Sequence, residues 1–359
     1  MSDGAIIVLT GALAAVACAL PGCWLVLRGM SLLGDAISHA VLPGIVLAFF
    51  VSGSVASLPV LIGAGAMGLF TVFLIETLHR TRRVKEDASI AVVFPALFAI
   101  GVLLIAQYTH GQKDLDQDCV LYGEIAFAPL RTLALGGFQV ARPTLVLGVV
   151  ALANLLFVLL LYKELKISTF DSALAATVGL APALVHYLLM GIVSITTVAS
   201  FESIGAILVV AFLIVPPAAA HLLTHRISRM LPLACFLGAG SAAAGYAVAS
   251  AVDASIAGCM AGAMGVVFLF AWVFAPRDGL LSRLLSLRTM RERVIGALLV
   301  ERLLRAPAPL PRLAEGLAWA PQRLARTLAL LRARGFVEGP DAQLRPTHEG
   351  IAFARSVAE

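Results

Sequence analysis

Nine runs of predominantly apolar residues take up most of the first 280 positions: near 5–27, 37–52, 55–78, 89–107, 143–162, 182–200, 203–223, 231–250 and 255–275. A helix that crosses the hydrocarbon core of a bilayer needs about 20 such residues. Lipid offers backbone groups no hydrogen bonds, so segments of this length cross as helices. Apolar residues make up 60 % of the 359-residue chain and charged residues 13 %, against about 25 % charged in soluble domains. No soluble core could hide that much apolar surface. The second run is short and is interrupted upstream by Arg28 and Asp35. The stretch 120–138 is broken by Glu124, Pro129 and Arg131 and reads as interfacial or re-entrant. The expectation is therefore an all-α polytopic membrane protein with eight or nine transmembrane helices. The first run has no basic segment before it and reads as a retained helix, not a cleaved signal.

Charge placement adds a second domain. Residues 285–359 carry twelve Lys/Arg and seven Asp/Glu, so the whole net charge of +5 belongs to the tail and the rest of the chain is balanced. This divides the sequence into a membrane domain, 1–280, and a basic, water-soluble domain, 285–359. The short basic loops orient the membrane domain. Arg80, Arg82, Arg83 and Lys85 form one, Lys163 and Lys166 another, Arg226 and Arg229 a third, and Arg277 and Arg283 follow the last run. Simple alternation from residue 55 onward puts all four on one side and leaves the acidic stretch Lys113–Asp118 on the other. The C-terminal domain is thereby expected in the cytoplasm. The five cysteines, Cys18, Cys23, Cys119, Cys235 and Cys259, lack the paired spacing of a zinc ribbon or disulfide framework and read as apolar fillers.

A charge at mid-bilayer costs roughly 2.5–3.5 kcal/mol on insertion scales, so one that persists faces a cavity or a partner. Asp35 and His39 stand four apart in Met30-Ser-Leu-Leu-Gly-Asp-Ala-Ile-Ser-His-Ala-Val-Leu-Pro-Gly44. On a helix they share a face, offering a carboxylate oxygen and an imidazole nitrogen suited to manganese, ferrous iron or zinc. The same spacing also suits a histidine held by a neighbouring carboxylate inside a bundle. This run resembles a signature of the permeases of the zinc/manganese/iron class of ABC importers. Two further segments are similar to that family: Phe201–Ala220, like its late helix with a Pro–small-residue end, and Phe170–Pro182, like the cytoplasmic segment that docks into the ATPase. The likeness covers roughly residues 5–280.

The resemblance implies Asp35 and His39 as residues of the metal path, with Glu202 a weaker candidate at the start of its helix, where it could equally stabilise the helix N-terminus. Glu124, in Tyr-Gly-Glu-Ile, stands where the family leads one to expect a neutral amide, and reads as interfacial. His186 and His221 read as packed, hydrogen-bonded residues, and His79, His110 and His225 as solvated loop residues. In the docking segment Asp171 can cap a short helix of small residues that includes Ala175, and Gly179 can end it before Pro182. These three are the ATPase-coupling candidates. The sequence holds no G-x-x-x-x-G-K-[ST] loop and no Ser/His/Asp or Cys/His catalytic set, so it is not expected to be an enzyme; ATP hydrolysis is assigned to a separate chain.

In the tail, Met290–Arg305, Leu313–Ala318 and Pro321–Arg334 read as helices. Gly335–Pro346 reads as a two-stranded wing turning at Gly339–Asp341, and Thr347 as the cap of a last helix, His348–Ala358. That order is a winged helix-turn-helix, and it resembles the N-terminal module of iron/manganese-dependent repressors. Arg323, Arg326, Arg332 and Arg334 are its candidates for contacting DNA phosphates or a protein partner, the partner being the favoured reading. The sequence-level expectation is a permease subunit with no permanently bound cofactor, transporting manganese or iron, or else zinc, by alternating access. Its implied partners are an ABC ATPase, an extracytoplasmic metal-binding protein, a second permease copy or paralogue, and membrane lipid, with DNA not expected. The rivals are a membrane-anchored, metal-responsive transcription regulator and a proton-driven secondary transporter.

Overall fold

The computed structural model describes residues 2–52, 58–81, 84–108, 124–135, 138–276, 279–305, 321–340 and 344–358. Residue contacts divide the chain into two compact units, Met1–Val273 and Phe274–Glu359, each with its own apolar core.

The first unit is built from α1 (Asp3–Leu27), α2 (Ser31–Ala40), α3 (Leu42–Ser52), α4 (Leu58–Arg80), α5 (Glu86–Tyr108), α6 (Arg142–Leu160), α7 (Tyr162–Phe170), α8 (Ser172–Thr177), α9 (Pro182–Ile204), α10 (Ala206–Leu223), α11 (Ile227–Val252) and α12 (Ile256–Phe274). Among the described residues nine segments are helical, long and apolar enough to cross a membrane. The second of them, Ser31–Ser52, is α2 and α3 in succession and runs for 22 residues. The run that looked short in the sequence is therefore of full length, because the helix continues backwards through Asp35. α2 and α3 meet at Val41. Two residues on, Pro43 has no amide hydrogen, so the carbonyl of His39 lacks its usual i+4 donor and the helix is interrupted just past the Asp35–His39 turn.

The stretch expected to be interfacial or re-entrant forms, where described, a 3-10 helix, Ile125–Leu130, and a hairpin of β1 (Thr132–Leu135) with β2 (Phe138–Ala141). The pair is antiparallel, with Thr132 opposite Ala141. Pro129 and Arg131 suit that short, irregular structure and not a spanning helix.

α1 is the central post, packed against α6, α9, α10 and α11, with Trp24 wholly buried. Pro21 lies inside α1 and cannot donate to the carbonyl of Ala17. That carbonyl is satisfied from outside the helix: Asn154 Nδ2 on α6 donates to Ala17 O at 2.7 Å and to Thr196 Oγ1 on α9 at 2.8 Å. One amide with two hydrogens thus joins three helices at a site where water cannot help. Replacing Asn154 with leucine should lower stability by about 1–2 kcal/mol. The measurement is the midpoint of thermal unfolding in detergent, and an unchanged midpoint would show the bond to be dispensable.

The second unit contains α13 (Leu280–Arg305), α14 (Pro321–Ala333), β3 (Val337–Glu338) and β4 (Arg345–Pro346) as an antiparallel pair, and α15 (His348–Ala358). α13 begins ten residues before the expected Met290, since no proline or glycine interrupts 280–290. Leu299, Val300, Leu303, Leu324, Leu328, Leu331, Val337 and Leu344 form its core, with Phe336 stacked on Phe353 at 4.7 Å. Thr347 Oγ1 accepts from the Gly350 amide at 3.1 Å and so caps α15. The expected helix Leu313–Ala318 lies outside the described residues.

Candidate functional site

Asp35 and His39 lie one turn apart on α2. His39 Nε2 stands 3.6 Å from Asp35 Oδ1, and the two side chains are 36 % and 43 % exposed within the chain. At that separation the pair is not a strong hydrogen bond, so Asp35 Oδ1 keeps its lone pairs, and His39 Nε2 offers one in the tautomer protonated on Nδ1. Two donors about 2.1 Å from one ion and subtending 90–120° stand roughly 3.0–3.6 Å apart, so the observed spacing suits a shared divalent cation. The rings of Phe94 and Phe98 on α5 lie with their centroids 6.1 Å from the imidazole. They restrict its rotation and supply an apolar wall. Among the described residues no group of three or more His, Cys, Asp or Glu side chains converges. A pair with few protein ligands suits an ion in passage better than a permanently held one.

Glu202 does not join that pair. It lies in the last turn of α9, not at the start of a helix. The apolar run that seemed to begin at Phe201 is divided by Gly205, whose backbone (φ 83°, ψ 161°) belongs to a region essentially reserved for glycine. The carboxylate faces Arg142 at the start of α6, with Arg142 Nη2 to Glu202 Oε1 at 3.4 Å, and Arg131 Nη1 donates to the Glu202 carbonyl at 3.3 Å. Glu202 is thus tied to α6 and to the segment leading into the hairpin. Glu124 is exposed ahead of the 3-10 helix, His79 is exposed at the end of α4, and His225 is exposed. His221, expected to be packed, is exposed in the last turn of α10. His110 and Cys119 lie outside the described residues.

The segment between α6 and α9 has the local structure its composition dictates. Asp171 Oδ1 accepts from the Leu174 amide at 2.8 Å and caps α8. Ala175 is completely buried beneath it. Gly179, at φ 86°, closes the helix as the Gly179 and Leu180 amides turn back to Ala176 O and Ala175 O. The outer side carries Leu174 and Val178, 51 % and 65 % exposed, preceded by an exposed Phe170.

Of the four candidate arginines in the second unit, Arg326, Arg332 and Arg334 are exposed. Arg332 donates to the Gly339 carbonyl at 2.8 Å and so braces the turn after β3. Arg323 lies on α14, with its side chain outside the described set.

Two residues that the sequence did not single out hold polar positions in the first unit. Asn154 was hidden in an apolar run, where an isolated amide next to no other polar residue was the only signal. Arg28, noticed only as an interruption, sits at the C-terminal end of α1 with its guanidinium bonded to Ser168, Thr169 and His186. Burial pulls its proton affinity down, although an arginine keeps its charge in such a setting.

Residues 5–275 match the ABC 3 transport family. The manganese transport system membrane protein MntD of Bacillus subtilis is 46 % identical over 297 residues, 82 % of this chain and 100 % of that one. The zinc transport system membrane protein TroD of Treponema pallidum is 40 % identical over 358 residues, 98 % of this chain and 97 % of that one. The solved structure of PsaBC from Streptococcus pneumoniae in complex with Fab superposes with a TM-score of 0.65 at 28 % identity, covering 80 % of this chain and 96 % of that one. TroD must therefore extend through nearly all of the second unit, which lies past the end of the family match. With that match spanning nearly the whole first unit, and with two relatives 46 % and 40 % identical over nearly all of their length, the chain belongs to the ABC 3 transport family.

Proposed function

We propose that this chain is the membrane-spanning permease subunit of an ATP-binding-cassette importer that carries a divalent transition metal, manganese, iron or zinc, across a bacterial plasma membrane. The observation that carries the reading is the Asp35–His39 pair, one oxygen and one nitrogen donor 3.6 Å apart on a spanning segment. Relatives named for manganese and for zinc transport lie at similar identity, which agrees with a donor pair that serves either ion. ATP hydrolysis belongs to a separate ATPase chain docked on the α7–α8 segment, and an extracytoplasmic protein delivers the ion to a pair of permeases. Asp35 and His39 accept it in transit. Glu202, engaged by Arg142, has a lesser claim on the path.

The nine candidate spans among the described residues and the bias of the short basic loops support a reading with the C-terminal side in the cytoplasm. There the second unit, with helices flanking a short antiparallel pair, reads as a winged helix-turn-helix that contacts the ATPase or regulates transport. The test is uptake of radioactive manganese, iron and zinc into proteoliposomes holding this chain, its ATPase and its metal-binding protein. ATP-dependent accumulation of one of the three is expected. If none accumulates while the isolated second unit binds DNA, the membrane-anchored regulator takes its place.

A further inference from the structure

Arg28 stands where three elements of the first unit meet. It follows α1 directly and precedes by three residues the start of α2, the helix of Asp35 and His39. Its Nε donates to Thr169 Oγ1 at 3.1 Å, one terminal nitrogen to Ser168 Oγ at 3.0 Å, and the other meets His186 Nδ1 at 3.2 Å. A guanidinium only donates, so Nδ1 of His186 accepts and the imidazole proton resides on Nε2. Ser168 and Thr169 lie in the last turn of α7, which closes at Phe170 immediately before Asp171, the cap of α8. His186 lies in the second turn of α9, and its neighbour Tyr187 hydrogen-bonds Glu76, which in turn holds Arg80 on α4. One planar fork thus ties the turn between α1 and α2 to the root of the docking segment and to α9.

Among the described residues no carboxylate pairs with this guanidinium, so its desolvation is offset there by neutral acceptors. Bonds from a charged donor are nonetheless stronger than those between neutral groups, and breaking one leaves the guanidinium short of a partner, so this network keeps the three elements moving together. Lysine could not reproduce it, because a single ammonium lacks the fixed fork that reaches three diverging acceptors. We propose that Arg28 is a positioning residue that carries displacement of the α7–α8 segment to the α1–α2 turn, and so to the Asp35–His39 helix. The inference rests on the transport reading above.

The experiment uses the complete transporter in proteoliposomes, recording metal uptake, ATP hydrolysis and the metal concentration for half-maximal uptake. In Arg28→Gln, metal moved per ATP should fall by about tenfold, within the 5–150-fold range usual for coupling between sites. The half-maximal metal concentration should stay within about twofold of the unaltered value, because the ion's donors are untouched. Arg28→Lys should recover only part of the ratio. If Arg28→Gln fails to assemble, the double variant Ser168→Ala/Thr169→Val, which keeps the charge and removes two acceptors, should show the same drop. A ratio that stays constant in these variants, with uptake and hydrolysis unchanged or falling together, overturns the inference while leaving transport intact. No ATP-driven uptake by the unaltered complex overturns the transport reading and this inference with it.

Discussion

Uptake should collapse in Asp35→Ala and in His39→Ala, by at least about a hundredfold in each, while the protein remains in the membrane at its normal level. The two donors share one space at 3.6 Å, and the described residues offer no third carboxylate, imidazole or thiol that converges on it. Losing one donor leaves a dehydrated ion with a single protein ligand. Even the loss of a residue that merely supports a ligand typically costs 10–100-fold in metal affinity, so removal of a ligand sets that range as a minimum. The two side chains are partly exposed and do not fill the core, so truncation should leave folding near its original stability, unlike a cavity in a packed interior. His39→Gln separates donor chemistry from shape. It keeps a side chain of similar reach between Phe94 and Phe98 but supplies a poor ligand, and should be nearly as inactive as alanine. The measurement is initial rate of metal uptake normalised to membrane-inserted protein. Wild-type rates in both alanine variants would make the pair a structural one.

The parts of this architecture that were legible in the sequence follow local rules. Apolar length fixed the class of fold, because a bilayer imposes one length on every crossing. The cap at Asp171 and the left-handed turn at Gly179 could be read because each involves residues within one helical turn. The second span was cut short because hydropathy averaging penalises Asp35, and the averaging does not see that His39 lies beside it one turn on. Glu202 was assigned to the wrong helix for a related reason. Gly205 lies inside an apolar run, where glycine usually serves close packing, and only its backbone angles show that it separates two helices. Arg28 was out of reach altogether. Its three partners are 140, 141 and 158 residues away, and no periodicity links positions so far apart. The same holds for Asn154, whose acceptor on α1, the carbonyl of Ala17, lies 137 residues before it.

The segment proposed to dock the ATPase yields the other large effect. Leu174→Asp should reduce recovery of the ATPase with this chain by at least about tenfold, or roughly 1.4 kcal/mol of association free energy. Leu174 and Val178 are four residues apart along α8 and its C-cap, so they share a side, and both are more than half exposed. Their opposite, inner side is Ala175, fully buried. A short helix with small residues beneath and bare apolar groups outside has little reason to face water, but it fits a groove on a partner. An aspartate at the centre of such a contact would be desolvated without a counter-charge, which is costlier than losing the leucine alone. Because Leu174 is exposed, the substitution should leave the level of this chain in the membrane unchanged. Asp171→Ala should act more mildly, through loss of about 1 kcal/mol of capping, and weaken recovery only a few-fold. The assay is co-purification of the ATPase at fixed detergent and protein concentration, followed by ATP hydrolysis of whatever complex remains. Full recovery with Leu174→Asp would mean that this side of α8 does not carry the ATPase contact, which would then have to be sought elsewhere on the chain.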